Sequence, residues 1–281
     1  MPELPEVETV RRGLEHHTLQ QEWLRVEVLR PQLVASPPDP EVFAWGLRGT
    51  RVLRWDRRGK YLLASLVHSD DSPAGAWGVH LRMTGQFLWV DVPSVPCRHT
   101  RARFWCAAGE LRFVDTRSFG QMWWVPAGQA PERVIRGLSR LGPEPFAPEF
   151  DAAYLRQRLK NSRRAIKTAL LDQSLVAGVG NIYADEGLFA AGIRPHTPVN
   201  LVEPSRLELL RDALREVLHN SIEAGGTSFS DFRQVSGLNG QYGGQSWVYR
   251  RAGHPCRRCG ASILLDRLGG RSSHWCPHCQ T

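Results

Sequence analysis

Apolar positions recur along the chain with two different periods. Over residues 1–16, Val7, Val10 and Leu14 share one helical face, Pro5 suits a first turn, and Glu6 and Glu8 lie where the helix dipole favours acids. From about residue 24 to 125 the period shortens to two. The runs Leu24–Leu29, Tyr61–Leu66, Gly85–Val90, Arg101–Cys106 and Glu110–Val114 are punctuated by Pro, Gly and Asp, and predict an antiparallel sandwich or barrel. Ser69–Ala76 reads as a surface loop. Pro126, Pro131, Pro143, Pro145 and Pro148 mark a boundary, with 131–150 as linker. Helical spacing then returns in 151–160, in 163–171, and in Leu207, Leu210, Leu214 and Leu218, ending near Gly225-Gly226. Residues 227–246 are rich in Gly, Ser and Gln and read as a mobile loop. The expectation is an α+β chain with a sheet domain over 1–130, a helical domain over 151–246 and a small module over 247–281.

Composition narrows the partners. Of 281 residues, 36 are basic and 28 acidic, a formal charge of +8 that suits a polyanion. Only Lys60, Lys160 and Lys167 are lysines. Arginine grips phosphate but stays protonated, so amine chemistry has few candidates. There is no apolar run long enough to span a bilayer, and the acidic start lacks the basic opening of a signal peptide. A cytoplasmic, nucleoid-associated protein with no membrane partner is expected, monomeric by default.

Four of the six cysteines form the pattern C-x2-C-x16-C-x2-C, as Cys256, Cys259, Cys276 and Cys279. Such spacing fits one tetrahedral zinc; two disulfides are the alternative, disfavoured in a reducing compartment. Cys97 and Cys106 are expected to be inert packing residues in the sheet region. Between the knuckles, Asp266–Arg271 reads as a glycine-turned hairpin exposing Arg271. That residue could bind phosphate or merely decorate a structural ribbon. Gly178-Val179-Gly180-Asn181 precedes a helical stretch, where backbone amides favour an anion, and Lys160, Arg163, Arg164 and Lys167 lie just upstream.

The N-terminus offers distinct chemistry. Removal of Met1 would leave Pro2 with a secondary amine titrating near pH ~8, well below lysine. Glu3 and Glu6 adjoin it, giving a nucleophile and two carboxylates for proton transfer. The same residues also make an ordinary helix start.

The stretch Met1-Pro2-Glu3-Leu4-Pro5-Glu6-Val7-Glu8-Thr9-Val10-Arg11-Arg12-Gly13-Leu14 resembles the N-terminus of bacterial formamidopyrimidine-DNA glycosylases. So do Arg57–Leu62, His80–Gly85, Asp115–Gly120, Gly178–Asp185, Gly225–Thr227 and the finger, all in family order. The resemblance covers effectively the whole chain. It implies an N-terminal antiparallel β-sandwich with flanking helices, then a helix–two-turns–helix domain with a zinc-finger β-hairpin. It further implies excision of 8-oxoguanine and formamidopyrimidines from double-stranded DNA, followed by β,δ-elimination at the abasic site. In this likeness Pro2 is the Schiff-base nucleophile, Glu3 the acid/base, Glu6 a supporting carboxylate, and Lys60 a phosphate contact assisting base departure. Met83 and Phe119 would fill the gap left by the flipped base, and Arg117 would meet the orphaned cytosine. His99, Asn181 and Arg271 would contact DNA, and Tyr242 would belong to a lid over Thr227–Gly244.

The chain also departs from the family. Thr116 and Ser118 stand in a motif that commonly reads Asp-Pro-Arg-Arg-Phe-Gly, Arg82 stands where glycine is common, and the 69–76 loop is long. A pyrimidine-specific endonuclease VIII type and a non-catalytic zinc-finger DNA-binding protein are the competing readings.

Overall fold

A computed structural model describes residues 1–227, 235 and 242–281. They form two compact units, Met1–Ser139 with the described part of 225–240, and Arg140–Ala224 with the described part of 241–281.

In the first unit, helix α1 (Leu4–Thr18) precedes β1 (Arg25–Val28), β2 (Val34–Ser36) and α2 (Pro40–Leu47). Strands β3 (Arg51–Arg58), β4 (Tyr61–Val67), β5 (Pro73–His80), β6 (Gly85–Val90), β7 (Thr100–Cys106), β8 (Gly109–Asp115) and β9 (Gln121–Val125) follow, then the short α3 (Pro131–Val134). They build two sheets, β1-β7-β8-β6 and β2-β9-β5-β4-β3; every pair is antiparallel except β2–β9 at an edge. Aromatic rings join the sheets. Trp77 on β5 lies 4.5 Å from Phe104 on β7 and 5.9 Å from Phe87 on β6, centroid to centroid. Val7, Val10 and Leu14 of α1 are fully buried in the same core, so the helical stripe read from the sequence is the face that packs. Glu8 accepts from Arg11 and from Arg57 on β3, fixing the helix on the strand that leads to Lys60.

Three expectations are corrected. Pro73–Ala76 is the start of β5 and not loop, because its small residues let β9 approach closely: a Cβ on Gly75 would sit 2.0 Å from the Val125 carbonyl. Helix α2 interrupts the strands; Asp39 Oδ1 caps it by accepting the Glu41 amide at 2.8 Å, and Pro40 takes its first position. Cys97 is exposed and precedes β7, so it is not a packing residue, whereas Cys106 is buried.

The second unit holds α4 (Ala152–Leu159), α5 (Ile166–Leu170), α6 (Asn181–Ala190) and α7 (Pro204–Glu223), then the hairpin β10 (Leu264–Leu268) and β11 (Arg271–Trp275). Helix α6 is buried nearly all round, against α7 and β11, which explains its weak amphipathic signal. No helix among the described residues is long and apolar enough to cross a membrane.

Buried Val235 lies against α1 in the first unit. Its carbonyl accepts the Trp89 amide at 2.9 Å, and a Cβ on Gly13 would meet its Cγ2 at 2.8 Å. Alanine at a helix interior normally gains about 1 kcal/mol over glycine. Here overpacking of about 1–3 kcal/mol opposes that gain. Gly13→Ala is therefore expected to lower the melting temperature by ~2–4 °C, measured by calorimetry, where an unobstructed helix site would show a rise.

Candidate active site and zinc finger

The N-terminal cluster is organised by Glu6. Its carboxylate is buried; Oε2 accepts the Glu3 amide at 2.9 Å as half of a reciprocal capping box. Its Oε1 accepts the Thr227 amide and the Thr227 hydroxyl, each at 2.8 Å. Gly226, at φ +80°, makes this approach; a Cβ there would crowd Glu6 Oε1 at 3.2 Å. Pro2 and Glu3 are buried beside this knot. With three hydrogen bonds to its oxygens, Glu6 is built to hold the start of the chain in place.

Lys60 sits in the two-residue turn between β3 and β4, largely buried. Near it, the buried His80 imidazole is held neutral. Burial, then the positive charges of Arg82 and Lys60, push its pKa down to about 3. The neutral ring accepts the Arg82 amide at Nδ1, 2.9 Å away.

A second cluster surrounds Asp115, whose carboxylate is fully buried. Oδ1 accepts from the Thr84 hydroxyl and from the Arg117 amide, and Oδ2 accepts the Gly120 amide at 2.8 Å. Asp115 thus clamps two loops, 81–84 and 115–120, together. Above the clamp, Met83 and Phe119 are 41 % and 50 % exposed, so neither is a core residue. The Arg117 guanidinium donates to Met83 Sδ at 2.9 Å and lies 4.7 Å from the centre of the Phe119 ring. The structure brings these three side chains into one group. His99 lies at its base: its carbonyl accepts the Asp115 amide at 2.9 Å, and its Nε2 accepts from Arg98.

In the second unit, the finger sulfurs of Cys256, Cys259, Cys276 and Cys279 lie within 4.8 Å of one another, with Cys256–Cys279 at 3.9 Å and Cys259–Cys276 at 3.4 Å. Tetrahedral zinc with Zn–S near ~2.3 Å puts sulfurs ~3.8 Å apart, so the donors fit. The amides of Arg258 and Cys279 point at the Cys256 and Cys276 sulfurs, as thiolates require. Gly269 and Gly270, both at positive φ, turn β10 into β11 and leave Arg271 exposed at the tip.

Buried charge ties this hairpin to the helices. Lys167, with no exposed surface, pairs with Asp185 Oδ1 at 2.6 Å and donates to the Ser272 carbonyl at 2.5 Å. Asp185 Oδ2 accepts the His274 amide at 2.9 Å. Asn181, at the start of α6, donates to Ser272 Oγ at 3.1 Å, while its buried Oδ1 has no hydrogen-bond partner among the described residues. Next to Asp185, Glu186 accepts the amides of Trp247, Val248 and Tyr249; burial raises its pKa against those bonds. Buried Tyr242 packs its ring 6.0 Å from Tyr183.

The chain matches the formamidopyrimidine-DNA glycosylase N-terminal domain over residues 1–122, the H2TH domain of the same glycosylases over 141–233, and the zinc finger found in FPG and IleRS over 253–281. It belongs to the formamidopyrimidine-DNA glycosylase family. It is 62 % identical over 281 residues to the formamidopyrimidine-DNA glycosylase of Parasynechococcus marenigrum, with both chains covered completely. A mutant Lactococcus lactis FPG in complex with Fapy-dG-containing DNA superposes with a TM-score of 0.90 at 34 % identity, each chain fully covered. The Lactococcus lactis Fpg complex with abasic-site DNA gives 0.90 at 34 %, covering 99 % of each chain.

Membership makes this a DNA-repair glycosylase with one structural zinc. Within this glycosylase fold, the sequence placed Thr227, Asp115 and Asp185 in family-like motifs without assigning them a role, and it missed Glu186. Each acts through a partner remote in sequence or through backbone amides, which local spacing does not reveal. The expected lid over 227–244 lies mostly outside the described residues.

Cys276→Ala is expected to abolish zinc retention, read as metal per chain by atomic absorption. Amide exchange should then rise in β10–β11 while β4 and β5 stay protected. His80 gives a pH signature. Between pH 6.5 and about 3 the unfolded chain binds a proton that the folded chain does not, so stability falls as pH falls through that window. The slope from this residue is at most about 1.4 kcal/mol per pH unit. Urea titrations at pH 7 and 5 should show that slope reduced in His80→Gln.

Proposed function

We propose that the protein is a bifunctional glycosylase and abasic-site lyase acting on oxidised purines in double-stranded DNA, with Pro2 as nucleophile once Met1 is removed. The observation that carries this reading is the Glu6–Glu3 amide bond of 2.9 Å, which builds a buried carboxylate pair around the start of the chain. The relatives whose complexes hold Fapy-dG and abasic-site DNA support the substrate class.

In this reading the prolyl nitrogen attacks C1′ of the everted nucleotide and the base departs with the glycosidic electron pair. Glu3 supplies the proton that opens the sugar ring, giving an iminium at C1′. Loss of a C2′ proton expels the 3′ phosphate, and a second elimination expels the 5′ phosphate. Glu6 holds Glu3 and Thr227, and Lys60 meets a phosphate beside the lesion. Met83 and Phe119 fill the vacated stack while Arg117 donates to acceptors of the orphaned cytosine. His99, Asn181 and Arg271 contact the backbone, where helix amides and guanidinium suit phosphate. Tyr242 belongs to the segment that covers the everted base. Zinc, closed by four sulfurs, shapes the finger and takes no part in the chemistry.

Borohydride added to the mature protein on an 8-oxoguanine·cytosine duplex should trap a covalent adduct that peptide mapping places on residue 2. Glu3→Gln should retain DNA binding and lose at least about a hundredfold in excision rate. An adduct on a lysine, or preference for thymine glycol over 8-oxoguanine, would overturn the assignment.

A further inference from the structure

Five non-glycine residues among those described have left-handed backbone, and two of them adjoin the Met83–Arg117–Phe119 group: Arg82 at φ +55° and Ser118 at φ +56°. L side chains rarely adopt this conformation, so the surroundings must impose it. At Ser118 the reason is visible. The Arg117 and Gly120 amides would stand ~10 Å apart in extended chain, yet both bond to the one Asp115 carboxylate. The chain therefore doubles back between them, and the left-handed step falls at Ser118. At Arg82 the amide is held by His80 Nδ1 and the guanidinium by Gln121 Oε1 at 2.5 Å, while the Gly85 amide closes the turn on the Leu81 carbonyl at 3.0 Å. Both residues are departures from the common family pattern, and neither is needed to bury core.

We infer that Arg82 and Ser118 are positioning residues whose left-handed backbone holds Met83, Arg117 and Phe119 as a preassembled plug, and thereby sets how strictly the base opposite the lesion is discriminated. The inference rests on the gap-filling role proposed above. A guanidinium braced on one side by Met83 Sδ and on the other by the Phe119 ring presents its donors in one direction. A fixed fork of donors favours a base edge with two adjacent acceptors, as cytosine has in O2 and N3, over one with a single acceptor beside an amino donor, as adenine has in N1 and N6. Loosening either loop lets the fork settle on both.

The test measures single-turnover excision of 8-oxoguanine opposite cytosine and opposite adenine. Glycine keeps the left-handed state accessible but adds alternatives, and asparagine tolerates it better than most residues. Ser118→Gly and Arg82→Gly should each lower the cytosine-to-adenine rate ratio by about two- to fivefold, and the double variant by about the product. Ser118→Asn should keep the wild-type ratio. Arg82→Asn should keep it too, separating backbone from charge. Cleavage of an abasic site in single-stranded DNA, which has no opposite base, should be unchanged in all five. Arg117→Ala serves as the reference. If it leaves the ratio intact, the gap-filling role falls and this inference with it. If it collapses the ratio while both glycine variants retain it, only the positioning role of Arg82 and Ser118 is overturned.

Discussion

A carboxylate taken out of water must have its charge answered by hydrogen bonds or a cation, and Glu6 shows how much of this protein follows from that requirement. Its two oxygens bind the amide of Glu3 on one side and the amide and hydroxyl of Thr227 on the other. The first contact fixes where the chain starts; the second recruits a segment more than two hundred residues away. These bonds tie the Glu6 oxygens to backbone and hydroxyl partners, so the carboxylate serves as a clamp on the start of the first helix.

The same device recurs. Asp115 gathers Thr84 and the Arg117 and Gly120 amides, and so joins two loops whose exposed apolar tips would otherwise wander. Asp185 binds Lys167 and β11, and Glu186 binds three successive amides after residue 246. In each of these cases a buried acid receives the donors that place a loop or a chain segment. The zinc site performs that service once, for the finger, with four sulfurs in place of oxygens.

Much of this was readable from the sequence because it depends on local period or fixed spacing. The Val7, Val10, Leu14 stripe, the alternating runs and the four cysteines need no knowledge of neighbours. The start of β5 was hidden because Pro73-Ala74-Gly75-Ala76 carries no large apolar residue; its strand character comes from the close passage of β9. Helix α2 lay among strand-like runs and was signalled only by Asp39-Pro40. At the site, residue identities came from resemblance, whereas their organisation did not. That Glu6 is a clamp, that His80 is neutral, and that Ser118 is left-handed all depend on atoms brought near by tertiary structure.

The bond between Glu6 and Thr227 also orders events in time. The first unit is not a contiguous stretch: residues 225–227 complete it after the helical segment has intervened. A chain emerging from the ribosome can pair β3, β4 and β5 early, since their contacts are close in sequence, but the Glu6 carboxylate of its opening helix gains the Thr227 amide and hydroxyl only once residue 227 is available. The part of the protein synthesised first is therefore among the last to be finished. A nascent chain that has not reached residue 227 lacks the completed cluster.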